Sequence, residues 1–240
     1  MTVAGPFETL AEAVIELTRS IMSGGDIVEA PDWDTRRKEF AALFSVTNPF
    51  DQTKIPKATI CNDAALVSYV REIILGTLDH AVESGKETYT YHQRMVEPLD
   101  QIEYCLNELK RNPGSARAVI TVRRPDDCLL VDQPCLQLIQ FKMAYNKLNM
   151  TTYWRSRDLF KALYMNCFAL ILFGIEFAKQ LGVEFGMYTD YSESLHIYER
   201  DWVRAENISS LEGDFAYIIS HDFWNDYKNP FDDQSVIYDS

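Results

Sequence analysis

A thiol and a guanidinium set the chemistry of residues 132–166, DQPCLQLIQFKMAYNKLNMTTYWRSRDLFKALYMN. Cys135 follows Pro134 and opens an alternating run. Leu136, Leu138 and Gln140 share one face and Gln137, Ile139 and Phe141 the other, the period of a strand. A turn at Asn146-Lys147 and a second strand over 148–153 complete a hairpin. That strand runs into Trp154-Arg155-Ser156-Arg157-Asp158, and a helix is expected from about Leu159. A thiol at the start of one strand and an arginine at the end of the next can lie side by side. A neighbouring guanidinium favours thiolate over thiol, the form that acts as a nucleophile. On spacing alone, the competing reading is a cysteine packed as a small hydrophobe.

The rest of the chain must position this hairpin. Residues 7–22 carry Leu10, Ala13, Val14, Leu17 and Ile21 at helical spacing, stopped by Gly24-Gly25. Residues 26–39 are polar and hold Arg36-Arg37-Lys38; 40–46 read as a strand and 48–56 as a loop. A second helix over 64–78 presents Leu66, Tyr69, Val70, Ile73 and Ile74, with Glu72 among them. A carboxylate on such a face needs a partner or a task, unless it sits at the helix edge in water. A helix over 97–111 and a strand over 115–123 follow. Residues 159–181 are apolar on nearly every side, as a buried helix requires, with Asn166 as the exception. A strand is expected over 185–191, and a short apolar run over 215–219.

Composition narrows the possibilities. The 240 residues suit one domain, 1–240, with a sizeable core. A net charge of −13 argues against a broad nucleic-acid surface, so any basic residues that bind an anion must be clustered. Five cysteines without paired spacing suit a reducing, cytoplasmic setting. The four histidines show no metal-ligand spacing. The most apolar run, 162–178, is broken by Asn166 and Glu176 and falls short of the ~20 residues of a membrane helix. No membrane segment is expected.

Pro134-Cys135, Gln140-Phe141, Arg155-Ser156-Arg157-Asp158, Asn166 and His196-Ile197-Tyr198 together resemble the thymidylate synthase superfamily in type, order and spacing. The resemblance implies an α+β fold, a mixed twisted sheet covered by helices and packed against its partner in a homodimer. It also implies one-carbon transfer from 5,10-methylenetetrahydrofolate to C5 of a pyrimidine nucleoside monophosphate. By the same likeness Cys135 is the nucleophile, Glu72 organises water for proton transfers, and Asn166 reads the pyrimidine edge. Asp158 and Tyr91 line the site. Arg155, Ser156, Gln140, His196 and Tyr198 bind the nucleotide. Arg36 or Arg37 reaches the phosphate, and Arg117 does so from the other subunit, which makes the active sites shared.

Several positions depart from the synthase pattern. Leu75 stands where an aromatic residue is usual, and His92 replaces a glycine. Ser115-Ala116-Arg117 has lost one arginine of a Ser-Arg-Arg start. Leu136 replaces the histidine that commonly follows the nucleophile, and Ser194-Leu195 precedes His196, as in the nucleotide hydroxymethylase branch. The final VIYDS lacks an apolar closing tail. Asn166, in contrast, is the synthase choice where deoxycytidylate hydroxymethylases carry Asp, and its amide can turn to face either base. The balance favours a CMP, dCMP or dUMP hydroxymethylase. The alternatives are a thymidylate synthase making dTMP and, in another class, a nucleotide- or RNA-binding homologue without catalysis.

Overall fold

The hairpin that bears Cys135 forms as its alternation predicts, except at its two ends. Strand β6 (Leu136–Ala144) pairs antiparallel with β7 (Lys147–Trp154). Leu136 lies opposite Trp154 but Leu138 opposite Tyr153, so one extra residue bulges out of β6 beside the cysteine. The bulge changes the face of Leu136, which joins Ile139 and Phe141 in the core, while Leu138 and Gln140 point the other way. The expected sharing of one face by Leu136, Leu138 and Gln140 therefore fails at its first member. The turn also sits one residue earlier than expected. Tyr145 and Asn146 have φ of 52° and 58°, the pair of left-handed residues that a two-residue hairpin of matching twist demands.

The computed structural model describes residues 2–49, 54–56, 62–210 and 216–218. In chain order these form β1 (Thr2–Phe7), α1 (Leu10–Gly24), β2 (Asp26–Ala30), β3 (Thr35–Val46) and β4 (Lys54–Pro56). Next come α2 (Asp63–Leu75), α3 (Asp79–Glu83), α4 (Tyr91–Val96), α5 (Gln101–Arg111), β5 (Val119–Thr121), then β6, β7 and β8 (Arg157–Asp158). The last are α6 (Tyr164–Gln180), β9 (Glu184–Tyr198), α7 (Trp202–Ser210) and β10 (Ala216–Ile218). Eight strands make a mixed sheet in the order β1-β3-β9-β7-β6-β5, with β2 on β3 and β8 on β9. The fold is α+β, with helices over one face of a mixed sheet. The C-terminal residues 219–240, including VIYDS, lie outside the described residues.

Local chemistry explains the boundaries. Thr9 caps α1 by accepting from the Glu12 amide at 3.2 Å, and Asn62 caps α2 by accepting from the Ala65 amide at 2.9 Å. Gly76 ends α2 in the left-handed conformation at φ 62°. A side chain there would run into His92 and Asp79, which bond each other at 2.7 Å. Residues 26–46 were expected to be polar chain followed by a strand; the polar part, 26–39, itself contains the whole β2–β3 pairing, from Asp26 opposite Glu39 to Ala30 opposite Thr35. Residues 115–123 keep only three strand residues, Val119–Thr121, on the last strand in the sheet order, where the Gln101 side chain takes the Thr121 amide at 2.8 Å.

The segment Leu159–Gln180 is long and apolar enough to cross a membrane, but 72% of its most apolar window is buried within the fold. Its side chains fill the layer behind the sheet, where Phe141 stacks on Phe177 at 4.1 Å. Each such fully buried apolar side chain contributes roughly 1.5–3 kcal/mol. The first turn, Leu159–Leu163, is wound as a π-helix, and Asp158 caps it by accepting from the amides of Phe160 and Lys161 at 2.9 and 3.0 Å.

Candidate active site

A cavity of about 730 Å³ opens where the β2–β3 hairpin, the end of β7, α2, the start of α6 and the end of β9 converge. This is within the ~300–1,000 Å³ typical of small-molecule sites. Its wall contains Cys135, Tyr91, Arg155, Ser156, Asp158, Asn166, His196, Tyr198 and Arg37. The bulge at the start of β6 explains the placement of Cys135. It ends regular pairing there, and the Arg155 amide then bonds the Cys135 carbonyl at 2.9 Å. The Arg155 side chain folds back on the same turn and donates to the carbonyls of Pro134 and Gln133 at 3.1 and 2.7 Å.

Burial raises the Cys135 pKa and outweighs the charge of Arg155, which lowers it; Asp132 adds to the rise and Arg157 to the fall. The net shift is upward, so the cysteine rests as a thiol, contrary to what the neighbouring arginine alone suggested. His196 shifts the other way. Burial, helped by the Arg37 charge, pushes its pKa down to about 4. The ring is therefore neutral near pH 7. Its Nδ1 lies 3.2 Å from the Ser194 carbonyl, which makes Nδ1 the donor and Nε2 an acceptor. Nε2 is buried and without a protein partner, as suits a nitrogen waiting for a ligand hydroxyl.

Four of the sequence candidates lie outside the wall of the cavity. Arg36 and Arg37 are successive strand residues and point to opposite faces. Arg37 faces the cavity, whereas Arg36 donates to Glu199. Gln140, carried past the bulge, donates weakly to the Ala116 carbonyl at 3.4 Å on the sheet's other face. Arg117 is largely exposed, 3.8 Å from Glu108. Glu72 stands one helical turn behind Tyr69, half buried, where burial and the charges of Glu87 and Asp79 raise its pKa. Leu75 lies in a separate cavity of about 310 Å³ with His92 and Phe177, so its departure from the synthase pattern does not touch the wall around Cys135.

Other residues in and beneath the wall were given no role in the sequence. Tyr69 on α2 meets Asn166 on α6, the amide Nδ2 donating to the phenol oxygen at 2.5 Å. Arg157 forms the floor and pairs with Asp190, and both are almost wholly buried. Ser192, Cys167, Thr152 and Tyr188 complete this network. Asp190 was a readable signal: a carboxylate between buried strand positions requires a cation. Trp33, at the β2–β3 tip, sits 6.5 Å from the Tyr198 ring.

Asp158, the adjacent pair Lys161 and Ala162, and Met165 follow one another about a turn apart and face the cavity together. This stripe of one carboxylate, one amine and an apolar surface suits a flat, hydrogen-bonding ring such as a pterin, and Trp33 adds an aromatic surface to the same wall. The residues present therefore fit a folate.

A family model described as thymidylate synthase matches residues 51–212. The chain is 32% identical over 208 residues to a Methanocaldococcus jannaschii protein named "Putative thymidylate synthase", covering 81% of this chain and 90% of that one. A Methanosarcina acetivorans protein of the same name is 36% identical over 176 residues, covering 71% and 78%. A thymidylate synthase of Listeria monocytogenes is 29% identical over 143 residues, covering 59% and 43%. Together with the α+β fold, these matches show an enzyme of one-carbon transfer, and the chain belongs to the thymidylate synthase family.

Proposed function

We propose that the protein is a pyrimidine nucleoside monophosphate 5-hydroxymethylase acting on CMP, dCMP or dUMP. The family's one-carbon donor, 5,10-methylenetetrahydrofolate, supplies a carbon at the methylene level. Cys135 gives its thiol proton to water, the charges of Arg155 and Arg157 favouring the thiolate, and the sulfur adds to C6 of the pyrimidine, which makes C5 a nucleophile for that carbon. Asn166 holds the ring edge as charge develops on it. The C5 proton leaves to water, with Glu72 behind Tyr69 as the end of the proton path. The carbon–nitrogen bond to the donor breaks and tetrahydrofolate leaves, so that the nucleotide carries an exocyclic methylene; water adds to that methylene, the Cys135–C6 bond breaks with return of the thiolate, and C5 is left carrying CH2OH. Arg155 and Arg37 supply charge-assisted bonds for the phosphate, and His196 accepts from a sugar hydroxyl.

One observation carries the choice of water. Glu29, Asp32, Asp132 and Asp158 all line the same cavity as Cys135, so its wall is rich in groups that hold water. Hydride transfer needs water kept away from the reacting carbon. The thymidylate synthase reading is supported by the names of the archaeal relatives and of the Listeria protein.

The same proposal places a second copy on the sheet face that carries no helix among the described residues. Leu43, Leu138, Tyr153 and Tyr191 lie there between core neighbours, and Tyr153 stacks on Tyr191 at 5.3 Å. A reducing, cytoplasmic setting suits the four described cysteines, all free thiols.

Product mass separates the readings. With CMP, dCMP, UMP and dUMP tested separately, the hydroxymethylase adds about 30 mass units through the Cys135 adduct and leaves tetrahydrofolate. A synthase adds about 14 and makes dihydrofolate in step. Dihydrofolate formed in proportion to nucleotide consumed overturns the proposal. Cys135→Ser should give neither product.

A further inference from the structure

In the β3–β9 register Arg37 lies opposite Tyr198 and Glu39 opposite His196. Opposed residues of an antiparallel pair share a face, as do residues two apart on one strand. Arg37, His196 and Tyr198 line the cavity, and Glu39 and Ser194 stand behind them. A single oxygen of Glu39, Oε2, accepts from Arg37 Nε at 2.6 Å and from the Ser194 hydroxyl at 2.6 Å. The Ser194 hydroxyl oxygen is 3.4 Å from His196 Nδ1, and the Ser194 carbonyl is 3.2 Å from it. Bond directions follow from the carboxylate. Paired with a guanidinium, it only accepts, so the Ser194 proton goes to Glu39 and the Ser194 oxygen can only accept from Nδ1. His196 Nε2, buried without a protein partner, is thereby left bare. Arg37 uses one of its five donors on Glu39, which leaves donors on its Nη groups for an anion.

We propose that Glu39 is a positioning residue that ties the phosphate arm to the sugar reader: it holds Arg37 at the cavity and, through Ser194, keeps His196 Nε2 ready to accept a sugar hydroxyl. The inference rests on the reading above that a nucleoside monophosphate binds beside Cys135. Two effects of the carboxylate oppose each other. A long arginine side chain loses rotamer freedom when it captures an anion, and a partner that already fixes it spares that loss. A carboxylate also repels a phosphate. Glu39 and Arg37 are only 21% and 23% exposed, so water contests their bond less than it contests the Arg36–Glu199 pair at 39% and 45%. That favours the holding effect. Removing the carboxylate decides between the two, because loss of a hold weakens nucleotide binding and loss of a repulsion strengthens it.

The test is titration calorimetry without folate, using whichever of CMP, dCMP, UMP and dUMP binds best, its nucleoside, and its 2′,3′-dideoxynucleotide. Glu39→Ala should weaken the nucleotide by about tenfold, roughly threefold from each arm. The nucleoside, which has no phosphate, should lose about threefold, and so should the dideoxynucleotide, which has no sugar hydroxyl. Glu39→Gln keeps an acceptor oxygen for both Arg37 and Ser194 and should stay within about twofold of wild type. Ser194→Ala cuts only the sugar arm, so it should reproduce the nucleoside loss alone, and it serves if Glu39→Ala fails to fold. A Glu39→Ala protein that binds the nucleotide as well as or better than wild type overturns the proposal. So does a nucleoside untouched by both alanine variants, or a glutamine variant as weak as the alanine one, which would assign the loss to charge rather than position. A wild type that binds none of the four nucleotides removes the reading itself, and this inference with it. Since no folate is present, neither product of the mass experiment alters the result.

Discussion

Arg157 and Asp190 pair beneath the cavity with 1% and 0% of their side chains exposed, whereas Arg36 and Glu199 pair at its rim with 45% and 39% exposed. The floor pair has no freedom. Arg157 also bonds Ser192 at 2.8 Å and lies 4.5 Å over the Trp154 ring, and Asp190 accepts from Tyr188 at 2.7 Å and Thr152 at 2.9 Å. The rim pair is well solvated and can exchange partners at little cost. Ion pairs of one chemistry thus do different work at two depths. The floor fixes the strand ends that carry Arg155 and Asp158, while the rim pair stays open to exchange with water and salt.

The largest effect is expected at the floor. Asp190→Ala leaves Arg157 buried without its counter-charge and should cost about 3–5 kcal/mol in urea denaturation. Replacing both partners with apolar residues, Arg157→Met with Asp190→Leu, should recover most of that loss. A single substitution that costs no more than a surface change would erase the contrast between floor and rim.

This contrast was only half legible in the sequence. The Pro-Cys strand, Arg155, Asp158, Asn166 and His196 were found because their order and spacing form one pattern, and the strand alternation placed the hairpin. The floor was missed because Arg157 and Asp190 lie thirty-three positions apart, and only the parallel pairing of β7 and β8 with β9 brings them together. Tyr69 read as one more apolar residue on α2, since periodicity shows which face is buried but not what a hydroxyl touches. Leu136 was assigned to the wrong face because a bulge leaves no mark in a two-residue period. Between Arg36 and Arg37 the sequence could not choose; strand alternation, once β3 is known to begin at Thr35, separates them.

His196 is buried like the floor yet belongs to the cavity wall, and it gives the next largest effect. Its folded pKa of about 4 lies below the ordinary histidine value of 6.5. Between those values the unfolded chain binds the extra proton, so stability rises with pH there. The neutral ring's contribution is complete above pH 6.5 and is lost as pH falls towards 4, about 3 kcal/mol in all. His196→Gln should flatten that part of the pH–stability curve. A slope unaltered by the substitution would mean that the ring is not held neutral by the fold.

Arg37 tests the rim directly, because it lines the cavity and donates to Glu39 at 2.6 Å. Arg37→Ala should weaken nucleoside monophosphate binding by about tenfold, the worth of one charge-assisted bond. Binding of the corresponding nucleoside should hardly change. Equal loss for nucleotide and nucleoside would remove the phosphate from Arg37's role.

Arg36 should give the smallest effect and is the sharpest test of what exposure means here. Its guanidinium donates to Glu199 and lies 5.6 Å from the centre of the Trp202 ring, so it makes as many contacts as a structural residue might. Yet both partners are well solvated, water and salt compete for each charge, and holding two long side chains together costs entropy. Glu199→Gln should therefore leave the urea midpoint within error of wild type, and Arg36→Ala should leave nucleotide affinity unchanged while Arg37→Ala does not. Any residual effect should vanish at 1 M salt, where the screening length falls to about 3 Å. A large, salt-resistant loss in either variant would show that the rim pair is as fixed as the floor, and that depth in this fold does not decide which arginines are free to meet a substrate.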